Sequence, residues 1–327
     1  MHAACVGPML GTRQVREPAM PELSNERIVY FNGRYVPESQ AVVPFRDRSF
    51  LYGDGAFDMT RTFAHRMFRL EEHVDRFWKS LKYLRLDPGM TAAEMCRVSD
   101  EVLARNLHLL GPDDDYWVGQ RVTRGVRPVD GDAWDHYGPT VIVECMPLPL
   151  AERASLYRDG IRVIVPSTRR TPPQSLSPRA KTHNYLNLIV ADQEIHDLDP
   201  QAWAVLCDAD GNLTEGHGSN IFIVRDGKLL TPRERFVLPG VSRRTVIELA
   251  AKLGIACEEA DLDPYDAYTA DEVFLTSTSL CICPVVSVNG QAIGDGKPWG
   301  PVTRRLTDAY IELVDCDFVQ QYLRRIA

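Results

Sequence analysis

The apolar positions of this chain change period several times, and each change marks an element. Ile28-Val29-Tyr30-Phe31 is a short apolar run, and Asn32-Gly33 behind it supplies the positive-φ residues of a tight turn before Tyr35-Val36, which predicts a hairpin. After Leu70, the residues Val74, Phe77, Trp78, Leu81 and Leu84 recur at helical spacing until Pro88-Gly89 stops them. Strand-like runs follow over 117–123, 140–145 and 161–165. The second half predicts a helix over 183–196 with Leu186, Ile189 and Val190 as its apolar stripe, and a strand over 203–207. A hairpin is expected from 220–224 through Asp226-Gly227 to Leu229-Leu230, then a helix over 242–252 ended by Gly254. Strands near 273–276 and 285–288 and a last helix from Val302 complete a mixed α/β or α+β pattern without internal repeats.

With 327 residues, 44% of them hydrophobic, the chain has material for two domains with a core each. The passage Arg169-Arg170-Thr171-Pro172-Pro173 marks a linker at 166–175, between a smaller α/β domain over 26–165 and a larger one over 176–327. Residues 1–25 lack periodicity and read as a mobile extension. The net charge of -8 is spread along the chain with no basic run, so a nucleic-acid partner is not expected. Neither is a membrane span, and a cytoplasmic location is the default. Eight cysteines, far apart except for Cys281-Ile-Cys283, point to reduced thiols, and that close pair reads as buried strand rather than as a metal site.

Lysine is scarce, six residues against thirty-one arginines, so the setting of each one is informative. Lys79 and Lys82 fall on the polar side of a helix, Lys228 and Lys297 fall in turns, and Lys252 falls near a helix C-terminus where cations are favoured. Lys181 has no such setting. It precedes a helix in Arg179-Ala180-Lys181-Thr182-His183-Asn184-Tyr185, where the helix dipole and Arg179 favour the neutral amine, the form that attacks aldehydes. Locally, the same residue also fits a solvated loop charge. Thr214-Glu215-Gly216 sets a carboxylate against a glycine-flanked turn, Leu238-Pro239-Gly240-Val241-Ser242 opens a helix whose first N–H groups suit a phosphate, and Thr276-Ser277-Thr278-Ser279 ends a strand in hydroxyl donors. Each of these also has a plain turn or capping explanation.

In order, Lys-x-x-Asn-Tyr, Thr-Glu-Gly-x-x-x-Asn, Leu-Pro-Gly-x-Ser-Arg and a hydroxyl-rich strand end before Pro284-Val285 resemble the class IV (fold type IV) pyridoxal-phosphate (PLP) enzymes. That group includes branched-chain and D-amino-acid aminotransferases, (R)-selective amine transaminases and aminodeoxychorismate lyase. The resemblance runs from about Ile28 to the C-terminus and implies a two-domain fold with a barrel-like core in the larger domain. It also implies a homodimer with its site near the subunit boundary. It makes Lys181 the Schiff-base lysine, Glu215 the partner of the pyridine nitrogen and Tyr185 a donor to the cofactor's phenolate oxygen. Arg76, Val241, Ser242 and Thr278 become the phosphate site.

Substrate choice is implied to rest on a loop from Tyr52 to Arg61, with Tyr52, Phe57, Met59 and Arg61 as contacts, joined by Arg127 and Ser279. Tyr52, Phe57 and Arg61 resemble the branched-chain enzymes, whereas Asp58-Met59 replaces their usual Glu-Gly and should narrow the pocket. Gly53-Asp54-Gly55 is similar to D-amino-acid aminotransferases, and Val122-Thr123-Arg124-Gly125 and the 169–173 passage are similar to (R)-amine transaminases. The expected reaction moves an amino group from a branched-chain-like L-amino acid to a 2-oxo acid. An (R)-amine or a D-amino acid is the alternative donor, and an aminodeoxychorismate-lyase-like elimination is the alternative reaction.

Overall fold

Positive φ angles at Asn32 (46°) and Gly33 (87°) close the first hairpin in the computed structural model, which describes residues 26–326. The extension expected over 1–25 lies outside the described residues. The hairpin pairs β1 (Ile28–Phe31) with β2 (Arg34–Pro37). β3 (Gly55–Phe63), β4 (Arg66–Met67), β5 (Tyr116–Thr123) and β6 (Thr140–Pro147) complete a six-stranded sheet in the order β2-β1-β6-β5-β3-β4. A short α1 (Arg48–Tyr52) precedes β3, while α2 (Leu70–Leu84) and α3 (Ala92–Asn106) pack on the sheet. Val74, Phe77 and Leu81 of α2 meet Ala56, Val118, Val122 and Val143 of the sheet in one buried cluster. The expected α2 stripe is therefore its packing face, although Trp78 and Leu84 sit at the margin.

The second unit starts with α4 (Leu150–Asp159) and β7 (Ile161–Ile164), followed by α5 (Leu186–His196), β8 (Trp203–Ala204), β9 (Asn220–Arg225) and β10 (Lys228–Pro232). Then come α6 (Val241–Lys252), β11 (Cys257–Ala260), α7 (Pro264–Tyr268), β12 (Glu272–Thr276), β13 (Cys283–Val288), β14 (Gln291–Ala292), α8 (Pro301–Val314) and α9 (Phe318–Leu323). The strand order is β11-β10-β9-β12-β13-β7-β8, with β14 on β13. Bridges Cys207 to Leu213 and Glu215 to Asn220 carry the chain beyond β8 back to the start of β9, curling the sheet into a barrel-like core.

Four expectations change here. β7, expected in the first domain, pairs with β13 and β8, so the crossing between sheets falls after β6 rather than near 165. Residues expected as a free linker are bonded into the second unit, with Arg170 N–H donating to Cys207 O at 2.8 Å and Thr171 N–H to Asn187 Oδ1 at 2.9 Å. The expected loop from Tyr52 to Arg61 is mostly the regular strand β3. Finally, α5 begins at Leu186 instead of His183, and it buries Leu188, Ala191 and Ile195 while leaving the predicted stripe exposed, Leu186 at 72%.

Candidate active site

The segment carrying Lys181 is clamped to β3 and α2 before α5 begins. Phe57 N–H donates to Lys181 O at 3.0 Å, His183 N–H donates to Gly55 O at 2.9 Å, and Lys181 N–H donates to Ser80 Oγ at 3.0 Å. This ladder-like pairing fixes the backbone, so the side chain emerges in one direction. Lys181 Nζ donates to Tyr185 Oη at 3.0 Å and lies 4.5 Å from the centre of the Phe57 ring. Arg179, expected beside it, is exposed and lines neither adjoining cavity, because the loop turns between them.

Two cavities meet at Lys181, and Tyr185 and Thr278 line both. The first is polar. On one side, Glu215 receives Arg170 Nε at 3.1 Å and Nη2 at 3.0 Å on Oε1, and the Leu238 N–H at 2.8 Å on Oε2. Burial raises the Glu215 carboxyl pKa above its ordinary value, against the opposing pull of Arg170 and that N–H. On the other side, Arg76 reaches in from α2, gripping Asp58 through Nε at 2.9 Å and Nη2 at 2.7 Å, while Nη1 donates to Pro239 O at 3.2 Å. His73 Nδ1 lies 2.7 Å from the same carboxylate. Burial alone would raise the Asp58 carboxyl pKa, but the Arg76 charge and His73 outweigh it and hold it far below the carboxylate range.

Val241 and Ser242 open α6 over this cavity with no side-chain cap, so the first N–H groups of the helix are free for an anion. Gly240 makes the approach possible, because a Cβ there would fall 2.2 Å from Asn220 Oδ1. Ser242 Oγ donates to Ser277 O at 3.0 Å, tying the helix start to the hydroxyl-rich turn. The Ser219 and Thr276 hydroxyls are buried here without a protein partner. An arginine, a helix start, unpaired hydroxyls and an enclosed acid lining one cavity fit a phosphorylated heteroaromatic ring.

The second cavity, about 510 Å³, is mainly apolar, with Phe57, Met59, Trp117, Met146 and Trp203 on its walls and Ser279 at its edge. Met59 fits because the opposing residue is Gly119, where a Cβ would come within 3.2 Å of Met59 Cε. Three expected contacts fall elsewhere. Arg61 shares the face of Phe57 and Met59 but lies further along β3, buried under the second unit, where it donates to Ser279 O at 2.9 Å and Gln321 Oε1 at 3.0 Å. Tyr52 is half-exposed on α1, and Arg127 Nη1 donates to its hydroxyl at 3.2 Å; within one chain, neither lines the cavities. The roles of Asp58, His73 and Arg170 come from contacts made across the fold: Asp58 was read only as a departure in the substrate loop, Arg170 only as part of the 169–173 passage, and His73 was not singled out.

The model of the family described as Amino-transferase class IV matches residues 55–288. A protein of Methanocaldococcus jannaschii, provisionally named a branched-chain-amino-acid aminotransferase, is 37% identical over 287 residues, covering 87% of this chain and 96% of that one. The branched-chain-amino-acid aminotransferase of Escherichia coli K12 is 33% identical over 292 residues, covering 87% and 92%. Among solved structures, a T.th. branched-chain amino acid aminotransferase with pyridoxamine 5'-phosphate superposes with a TM-score of 0.80 at 28% identity, covering 89% of this chain and 94% of that one. Sequence, fold and the paired cavities agree: this chain belongs to the class IV aminotransferase family.

Proposed function

We propose that the chain is a PLP-dependent transaminase acting on branched-chain L-amino acids, with Lys181 carrying the cofactor. The observation that supports this most is the position of Lys181 Nζ between a cavity suited to a phosphorylated ring and an apolar cavity suited to a branched side chain. Pyridoxal phosphate supplies an electron-accepting ring that makes the substrate Cα–H acidic. Arg76, Thr278 and the α6 start at Val241 and Ser242 would hold its phosphate, and Glu215 would pair with its ring nitrogen. Tyr185 holds Lys181 Nζ and donates to the ring oxygen. Lys181, whose Nζ stands where the two cavities meet, would carry the cofactor and serve as the acid/base that moves a proton at the substrate Cα. Met59 and Phe57 shape the side-chain pocket.

A homodimer belongs to the same reading. Phe50 and Tyr52 on α1 and Leu186, Ile189 and Val190 on α5 leave apolar surface exposed. The segment leading into α5 is tied to the end of α1 by Asn184 Nδ2 donating to Gly53 O, the residue that caps α1, at 2.9 Å.

The test is a trapping and half-reaction experiment. Borohydride reduction and peptide mapping should find a pyridoxyl adduct on Lys181, absent in Lys181→Ala. L-leucine should bleach the visible band of the bound cofactor, with D-alanine and (R)-1-phenylethylamine far slower. Bleaching by either of those donors but not by L-leucine would overturn the substrate assignment.

A further inference from the structure

Arg153 projects from α4 into the wall of the apolar cavity. Its guanidinium carbon lies 5.2 Å from the ring centre of Trp117 and 5.6 Å from that of Trp203, and Nη1 donates to Ser279 Oγ. The turn it touches is rigid, because Ser279 O receives Arg61 Nη1 at 2.9 Å and Tyr322 Oη at 2.9 Å. Other arginines around the site are each matched to an acid, Arg76 to Asp58, Arg170 to Glu215 and Arg61 to Asp115. Among the described residues, Arg153 is paired with no acid, and its guanidinium meets the Ser279 hydroxyl and two indoles. The acid on this cavity wall, Asp192, is bonded to His217 instead.

A cation held between indole faces is poorly hydrated, and its planar array of donors matches a carboxylate. Resting on the transaminase reading above, we propose that Arg153 is a specificity-determining residue that binds the substrate's carboxylate, so that the pocket selects amino acids and 2-oxo acids over amines lacking one. The surrounding apolar wall then accepts the branched end of the same molecule.

The experiment compares 4-methylvalerate with the uncharged 4-methylvaleramide by calorimetric titration of the holoenzyme, with tryptophan fluorescence reporting arrival beside Trp117 and Trp203. Wild type should prefer the acid. Arg153→Met should bind the acid roughly 10- to 100-fold more weakly, with the amide unchanged, as expected for loss of a charged hydrogen-bond partner. Arg153→Lys should retain part of the preference. For L-leucine, Arg153→Met should raise KM by a similar factor with little change in kcat. Unchanged acid binding in Arg153→Met, or equal loss for acid and amide, would overturn the proposal. A wild-type enzyme that leaves L-leucine unreacted would instead sink the transaminase reading, and the acid-to-amide comparison would still decide Arg153.

Discussion

At the scale of single residues, the site is organised by side chains that set one another's charge. Glu215 is enclosed and its carboxyl pKa is raised by burial, and the Arg170 charge is the largest of the groups that favour its ionised form, the one the proposed role requires. Replacing Arg170 by Met leaves burial less opposed, and the carboxyl pKa rises further. The acid limb of kcat/KM against pH should move to higher pH in Arg170→Met, with Arg170→Lys in between; an unmoved limb would show that Arg170 does not govern Glu215.

His183, beside Lys181, makes a second pH-dependent contribution. Its Nδ1 lies 2.5 Å from Ser49 Oγ, its Nε2 is enclosed without a partner, and burial, aided by the Arg121 charge, pushes its pKa down to about 4. The unfolded chain, with a histidine near pKa 6.5, therefore binds more protons between those values. Stability is intact above about pH 6.5 and falls as pH drops toward 4, by at most about 2 kcal/mol at about pH 5. His183→Gln should flatten this slope, measured as the difference in urea midpoint between about pH 7 and pH 5 for variant and wild type.

At the scale of elements, three local structures converge on one small volume: β3 and α2 fix the Lys181 loop, and α6 supplies its N-terminus. Each contribution depends on which face an element turns inward. In α2 the buried face carries His73, Arg76 and Ser80 along with Val74, Phe77 and Leu81, so one helix both packs the sheet and delivers polar groups to the cleft. The start of α6 depends on Gly240. Gly240→Ala forces a Cβ toward Asn220, displacing the turn proposed to bind the phosphate. The expected result is roughly tenfold weaker binding of pyridoxamine phosphate, with a smaller loss in apo-protein melting temperature, read by calorimetry. Elements with strong punctuation were legible. The Asp226-Gly227 hairpin and the Gly254 stop appear as expected, with positive φ at all three residues. α3 was legible in principle, because Thr91 and Glu94 form a reciprocal cap that a search for Thr-x-x-Glu would have found.

At the scale of the whole molecule, no helix among the described residues is long and apolar enough to cross a membrane. The exposed apolar face of α5, Leu186, Ile189 and Val190, is the surface on which the proposed homodimer rests. Ile189→Glu should shift the chain from dimer to monomer by light scattering, with transaminase activity falling in step. A wild-type chain that is already monomeric and fully active would overturn the dimer assignment. The two sheets are joined internally as well: Arg61 of the first sheet is bonded under the second unit, and Phe63 belongs to the second unit's core.

What the sequence determined by itself was chemistry in order along the chain. Lys181, Glu215, Val241-Ser242 and Thr278 stood out through the order of their motifs along the chain, because each motif alone also fits a loop charge, a turn or a helix cap. Tertiary structure decided which groups share a cavity. Side-chain direction follows strand parity and helix phase, and these are set by long-range packing. Thus Arg61, a plausible substrate contact by its neighbours, is buried under the second unit, and the expected stripe of α5 turns outward. Arg170, first read as part of a linker, becomes the partner of Glu215.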